Sequence, residues 1–147
     1  LIGSDRMRID VWMIGQPIGK GRPRFTRQGR AYTPAKTKDY EKRLAAIASD
    51  KMVELGLDPI TAPCKVHILA QFEVPKSWTK KRTEAAWRAE VFPGRPDIDN
   101  VVKIALDALN GVMFEDDAQV YQVTAHKKYG DPMILITIEW ENATTKS

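Results

Sequence analysis

A single cysteine, Cys64, in a chain of 147 residues leaves no intramolecular disulfide and no zinc site built on several thiolates. A reducing, cytoplasmic setting fits that scarcity. Histidine is nearly as rare, and no spacing links His67 or His126 to the acidic residues described below. Long apolar runs are absent too: none approaches the roughly 18 residues of a membrane-spanning helix, so no membrane partner is expected. Residues 1–6 lack the charged and apolar regions of a secretory signal, and with Gly3-Ser4 ahead of Met7 they read as a cloning remnant. What remains is 43% hydrophobic, enough for a packed core, so one domain over residues 7–147 is expected.

Charge is unevenly placed. The window 20–43 holds nine basic and two acidic residues, a balance of +7, whereas the other 123 residues balance at −3. A solvated basic loop is the plain account of such a run. Here, however, Gly21, Pro23, Phe25, Gly29 and Tyr32 lie among the cations, adding backbone freedom and aromatic faces that suit a nucleic-acid backbone. Lys20, Arg22, Arg24, Arg27 and Arg30 are the candidate phosphate grips.

Periodicity sets out the fold. Met7–Ile14 alternates as a half-buried strand, and residues 15–36 read as a long loop or irregular hairpin. From Thr37, a candidate cap, apolar residues recur at helical spacing as far as Leu55, and Gly56 closes the helix. Val66, Ile68, Ala70, Phe72 and Val74 alternate as a second strand, which Pro75 ends. Residues 77–90 read as a short basic helix. A turn-rich break at 92–96 leads into a second main helix, Asn100–Leu109, stopped by Asn110-Gly111. Val120–Tyr129 and Met133–Trp140 read as strands joined in a terminal hairpin by Gly130-Asp131-Pro132. The class is α+β: a mixed sheet of about four strands covered by two main helices.

The densest chemistry lies in Arg95-Pro96-Asp97-Ile98-Asp99-Asn100-Val101-Val102-Lys103, followed by Asp116-Asp117. In an extended segment Asp97 and Asp99 face one point while Ile98 turns to the core, and Lys103 follows one helical turn after Asp99. The intervening helix is roughly 15 Å long and the return segment spans up to about 23 Å, so the second pair can come back to the first. It can equally lie at the far end of the helix or reach a partner subunit. Oxygen ligands without a His/Cys set favour Mg²⁺, with Mn²⁺ as a substitute, and such an ion assists phosphodiester hydrolysis. Lys103 then neutralises developing charge or orients water. Against this stand simpler roles: Asp99 as an N-cap, Asp97 favoured by the helix dipole, and Asp116-Asp117 as a polar turn. Asp107 is either a fifth ligand or an i,i+4 ion-pair partner of Lys103, the simpler of the two. His67, His126 and Cys64 are assigned no catalytic role. The four tryptophans read as core or interface residues, with Trp78 beside Lys76, Lys80 and Lys81 also able to stack on a base.

The stretch RPDIDNVVKIALDALNGVMFEDDAQV, Arg95 to Val120, resembles the RusA-like Holliday-junction resolvases: an Asp-x-Asp-Asn-x-x-Lys motif, a helix with Asp-Ala-Leu, then Asp-Asp-x-Gln-Val. GKGRPRFTRQGRAYTPAKTKDYE, Gly19 to Glu41, is similar to the basic N-terminal region of many members. The resemblance implies that Asp97, Asp99 and Asp117 bind catalytic Mg²⁺, with Asp116 a less certain ligand, and that Lys103 is the catalytic lysine. It further implies a homodimer that cuts two strands of a four-way DNA junction symmetrically. With the loop cations, Arg95 would then contact DNA. The chain departs from compact members in its loop at 15–36, its basic segment at 77–90 and Pro96, which places its junction-facing cations differently. Two other readings compete: a non-catalytic branched-DNA-binding protein, and a Mg²⁺-dependent flap or duplex nuclease.

Overall fold

A computed structural model describes residues 3–144. In chain order the elements are β1 (Gly3–Ile14), β2 (Arg24–Phe25), β3 (Ala31–Tyr32), α1 (Ala35–Leu55), β4 (Cys64–Phe72), α2 (Lys80–Trp87), α3 (Ile98–Leu109), β5 (Val120–Tyr129) and β6 (Met133–Thr144). The architecture is α+β. A mixed four-stranded sheet in the order β1-β6-β4-β5 carries α1 and α3 on one face, and β2 and β3 form a separate two-stranded ribbon.

Alternation explains the strands. Ile9, Val11 and Met13 of β1 are buried, and in β4 every second residue from Cys64 to Phe72 is buried. β1 extends back to Gly3, beyond the expected start at Met7, because residues 3–6 stay in register with residues 141–144 of β6. The helices α1 and α3 pack on each other and bury Leu44, Ala48, Val101, Ile104, Ala105 and Leu109 against this face. Burial of side chains of this kind contributes about 1.5–3 kcal/mol each, which is why helical periodicity in these two segments was informative.

Three expectations are corrected. β5 and β6 do run in opposite directions, but they are not paired as a hairpin: β4 lies between them, parallel to β5 and antiparallel to β6. The turn crosses the end of β4, where Gly130 N–H donates to Phe72 O at 3.0 Å and Gln71 Nε2 to Asp131 O at 2.8 Å. β6 takes a central place because Ile134, Ile136 and Ile138 are wholly buried, while β5, mostly exposed, suits an edge. The second correction concerns Thr37, which does not cap α1. Pro34 precedes the helix with φ −54°, and the Thr37 hydroxyl instead accepts from Gly21 N–H at 3.2 Å. The third is at α3, which starts at Ile98 instead of Asn100. Short α2 is confined to residues 80–87 because Thr79 caps it, accepting from Arg82 N–H, and Ala89 leaves helical geometry with φ 59°.

Candidate active site

Asp97 is the N-cap residue of α3, with extended backbone and its C=O accepting from Val101 N–H at 3.2 Å. Its carboxylate makes no capping hydrogen bond, so the common structural use of an aspartate here is not in force. Asp99 lies in the first helical turn. The strand-like alternation expected to aim Asp97 and Asp99 at one point therefore does not apply, and Ile98 is exposed instead of turned to the core. Both carboxylates remain exposed near the positive end of the α3 dipole.

What fixes the approach to Asp97 had no signal in the sequence. Lys127, from β5, donates its ammonium to the carbonyl oxygens of Gly94 and Pro96, both at 2.9 Å. The basic loop docks against the start of α3 as well, with Lys20 N–H donating to Asn100 O at 2.9 Å. Glycine is required for that approach: a Cβ on Gly19 would stand 2.6 Å from Cβ of Pro96, and one on Gly21 2.7 Å from the Thr37 hydroxyl. The two glycines flanking Lys20 thus seat the root of the loop between α1 and α3.

Lys20 behaves unlike the other loop cations. Its side chain is only 18% exposed, hydrogen-bonded to Glu41 of α1 and 3.1 Å from Asp107 Oδ2 of α3. Burial disfavours the ammonium, but the bonds to Glu41 and Asp107 outweigh it and push its pKa up. The same Asp107 oxygen lies 3.5 Å from Lys103 Nζ, the i,i+4 pair that the spacing suggests. Lys103 is held on one side and its side chain is still 61% exposed. Beyond the root, Arg22, Arg24, Arg27 and Arg30 are all exposed, as is Arg95. The β2–β3 ribbon carries three of these arginines around a tight turn, in which Gly29 has φ 81° and its N–H donates to Thr26 O at 2.9 Å.

Asp116 and Asp117 follow a segment pinned to the connection after α1. Ile60 N–H donates to Met113 O at 2.8 Å, and Gln119 Nε2 reaches the carbonyls of Ile60 and Ala62 at 2.6 and 2.8 Å. Asn110, read from sequence only as a helix stop, accepts from Asp117 N–H at 2.9 Å. The pKa of Asp117 is pushed up, first by its hydrogen bond with Asp116, then by burial and by repulsion from Asp116 and Asp107, with Lys103 opposing. One electrostatic group thus contains Asp107, Asp116, Asp117 and Lys103. The backbone of Asp117 is tied to the side chain of Asn110, which follows the last turn of α3, whereas Asp97 is the cap at its start.

The donors fit a hard divalent cation in kind: they are oxygens only, exposed, and in Asp117 crowded by negative charge that a cation would relieve. Among the described residues, no three metal-ligating side chains are grouped closely enough to hold an ion. Asp97 and Asp99 lie at the start of α3, while Asp117, beside Asp116, feels the charges of Asp107 and Lys103 farther along the same helix. His67 is elsewhere, on the sheet, 2.9 Å from Glu139 and hydrogen-bonded to Thr124. Cys64 is buried in the core, which pushes its thiol pKa up.

Residues 15–139 match the family described as endodeoxyribonuclease RusA. A protein of Bacillus subtilis (strain 168), described as uncharacterized protein YqaN, is 35% identical over 137 residues, covering 88% of this chain and 94% of its own. The matched region includes every acidic residue, lysine and loop arginine described above. No helix among the described residues is long and apolar enough to cross a membrane.

Proposed function

The chain belongs to the endodeoxyribonuclease RusA family, and on that premise we propose that it is a Mg²⁺-dependent, structure-selective endodeoxyribonuclease that resolves Holliday junctions. The observation that carries this reading is the seating of the basic loop against the start of α3, where Lys20 N–H meets Asn100 O beside two exposed carboxylates free of capping. On this reading the loop would grip phosphates next to a helix end whose carboxylates would take a cation, and the Lys20–Asn100 bond supports that pairing.

In this reading Asp97, Asp99 and Asp117 would hold Mg²⁺, with Asp116 as an additional oxygen donor. Bound there, the ion would supply Lewis-acid polarisation of the scissile phosphodiester. Lys103, steered by Asp107, meets the negative charge that grows on the phosphate oxygens as the bond breaks. Arg22, Arg24, Arg27, Arg30 and Arg95 take the flanking phosphates, while Lys20 holds the loop root in place. Paired symmetrical cuts in a two-fold junction require two active sites, so a homodimer is part of the proposal. Cytoplasmic work on bacterial or phage DNA goes with it.

A substrate panel tests the reading. Four-way junction, flap and linear duplex of common sequence are incubated with Mg²⁺. Preference for the junction, with cuts paired across its two-fold axis, is the expected result. Equal cutting of the linear duplex would keep the nuclease and remove the junction.

A further inference from the structure

A second cationic surface lies away from α3. Residues 76–88 contain five cations, Lys76, Lys80, Lys81, Arg82 and Arg88, against one anion, Glu84. The sequence suggested Trp78 as the base-stacking residue of this segment, but its ring is already in use. The Arg82 guanidinium lies 3.6 Å from the centre of that ring, and Tyr129 meets it edge-on with centroids 5.2 Å apart. The free ring is Trp87, at the end of α2 and 65% exposed. It lines an open cavity of about 600 Å³ together with Tyr129, Lys76, Lys128, Glu73 and Asp131.

The walls of this cavity are fixed. Trp78, Tyr129 and Arg82 form one packed stack, and Gln71 Nε2 ties the floor to Asp131 O at 2.8 Å. On α2, Ala86 is buried, so the turn that presents Trp87 is anchored. An indole beside two ammonium groups matches an aromatic base and the phosphates that flank its nucleotide. The carboxylates of Glu73 and Asp131 suit the amino and imino hydrogens of a Watson–Crick edge, which only an unpaired base presents as a whole.

We propose that this cavity is a second DNA site, in which an unpaired nucleotide stacks its base on Trp87 while Lys76 and Lys128 hold the adjoining phosphates. The site rests on the reading of the chain as a DNA-processing enzyme and specifies the feature of DNA that it selects, a base outside the double helix. Such bases arise where a duplex is bulged, frayed or opened at a branch point. Trp87 touches neither acidic pair, so capture there and hydrolysis at α3 are separable.

The test uses the whole protein in EDTA and two DNAs, a continuous duplex and the same duplex bearing a two-nucleotide bulge of 2-aminopurine. Binding of the bulged DNA should quench 2-aminopurine fluorescence through stacking on the indole. Trp87→Ala should abolish the quench and weaken bulged-DNA binding about ten-fold while leaving the continuous duplex unchanged; Trp87→Phe should retain most of both. Lys76→Ala with Lys128→Ala should lower the salt dependence by about two phosphate contacts on bulged DNA. An unaltered quench in Trp87→Ala, or an equal loss on both DNAs, would overturn the site and leave the nuclease reading standing. Competition by free mononucleotide as strong as by bulged DNA would also overturn it. Failure of the wild type to bind either DNA would remove both.

Discussion

Replacing Lys20 by methionine separates a residue that grips DNA from one that builds the site. The substitution keeps the aliphatic length but removes an ammonium that is 18% exposed and shared by Glu41, 20% exposed, and Asp107, 30% exposed. Exposed ion pairs are worth about 0–1 kcal/mol, whereas stripping one partner from a buried pair costs about 3–5 kcal/mol. With two carboxylates left facing each other at intermediate burial, about 2 kcal/mol is expected, which for a chain of this size lowers Tm by roughly 7 °C. The pKa of Lys20 is raised in the folded protein, so its contribution is complete at neutral pH and is lost as pH climbs beyond roughly 10.4. Calorimetry should therefore find the wild type and Lys20→Met converging at strongly alkaline pH. In DNA binding, Arg24→Ala should reduce the salt slope by about one phosphate contact. Lys20→Met should leave that slope unchanged at temperatures where the variant is folded. A wild-type Tm combined with a reduced salt slope would refute the assignment and return Lys20 to the phosphate grips.

Three further outcomes follow from the same geometry. Asp117→Asn removes a carboxylate whose pKa is raised by its neighbours, so the metal-free variant should melt higher than the wild type at pH 7 and equal to it near pH 3.5, while losing cleavage; a lower Tm at pH 7 would contradict this. Lys127→Met frees the Gly94 and Pro96 carbonyls and should raise the Mg²⁺ needed for half-maximal cleavage about ten-fold, a shift that Mg²⁺ titration of the cleavage rate would detect. Tyr40 is buried with a hydroxyl that has no hydrogen-bond partner among the described residues, and burial, only partly offset by Arg43, pushes its pKa up to about 12. Tyr40→Phe should therefore stabilise the protein, by up to about 1 kcal/mol in urea unfolding, and a loss of stability would show that the hydroxyl is bonded.

Legibility in the sequence followed the range of the interaction. α1, β4 and α3 were visible because burial of Leu44, Ile68 and Ile104 imposes a period on their neighbours, and Gly56 closes α1 in the left-handed conformation expected of it, φ 66°. The pairing of β6 between β1 and β4 left no local trace, since a short turn ordinarily joins neighbouring strands and nothing in Gly130-Asp131-Pro132 marks it as crossing the end of β4. The candidate site divides in the same way. Asp97, Asp99, Lys103 and the Asp116-Asp117 pair stood out by spacing, and so did the Lys103–Asp107 pair, now at 3.5 Å. Their mutual geometry did not, because the start of α3 moved by two residues and changed the phase of Asp97 against Asp99. Glu41 and Lys127 were invisible because each acts on residues far away in the chain, at Lys20 and at Gly94 and Pro96. Gly19 and Gly21 looked like loop punctuation, yet what they permit is the contact that brings the basic loop to the acidic helix.

The central claim is that the carboxylate at the head of α3 makes the protein a metal-dependent junction nuclease. It is tested most directly by incubating an end-labelled synthetic four-way junction with wild type and Asp97→Asn, each with and without Mg²⁺. The account predicts paired, symmetrical nicks that require both Mg²⁺ and Asp97. Tight binding of an uncut junction by the wild type in Mg²⁺ and in Mn²⁺, or wild-type cleavage by Asp97→Asn, would contradict it.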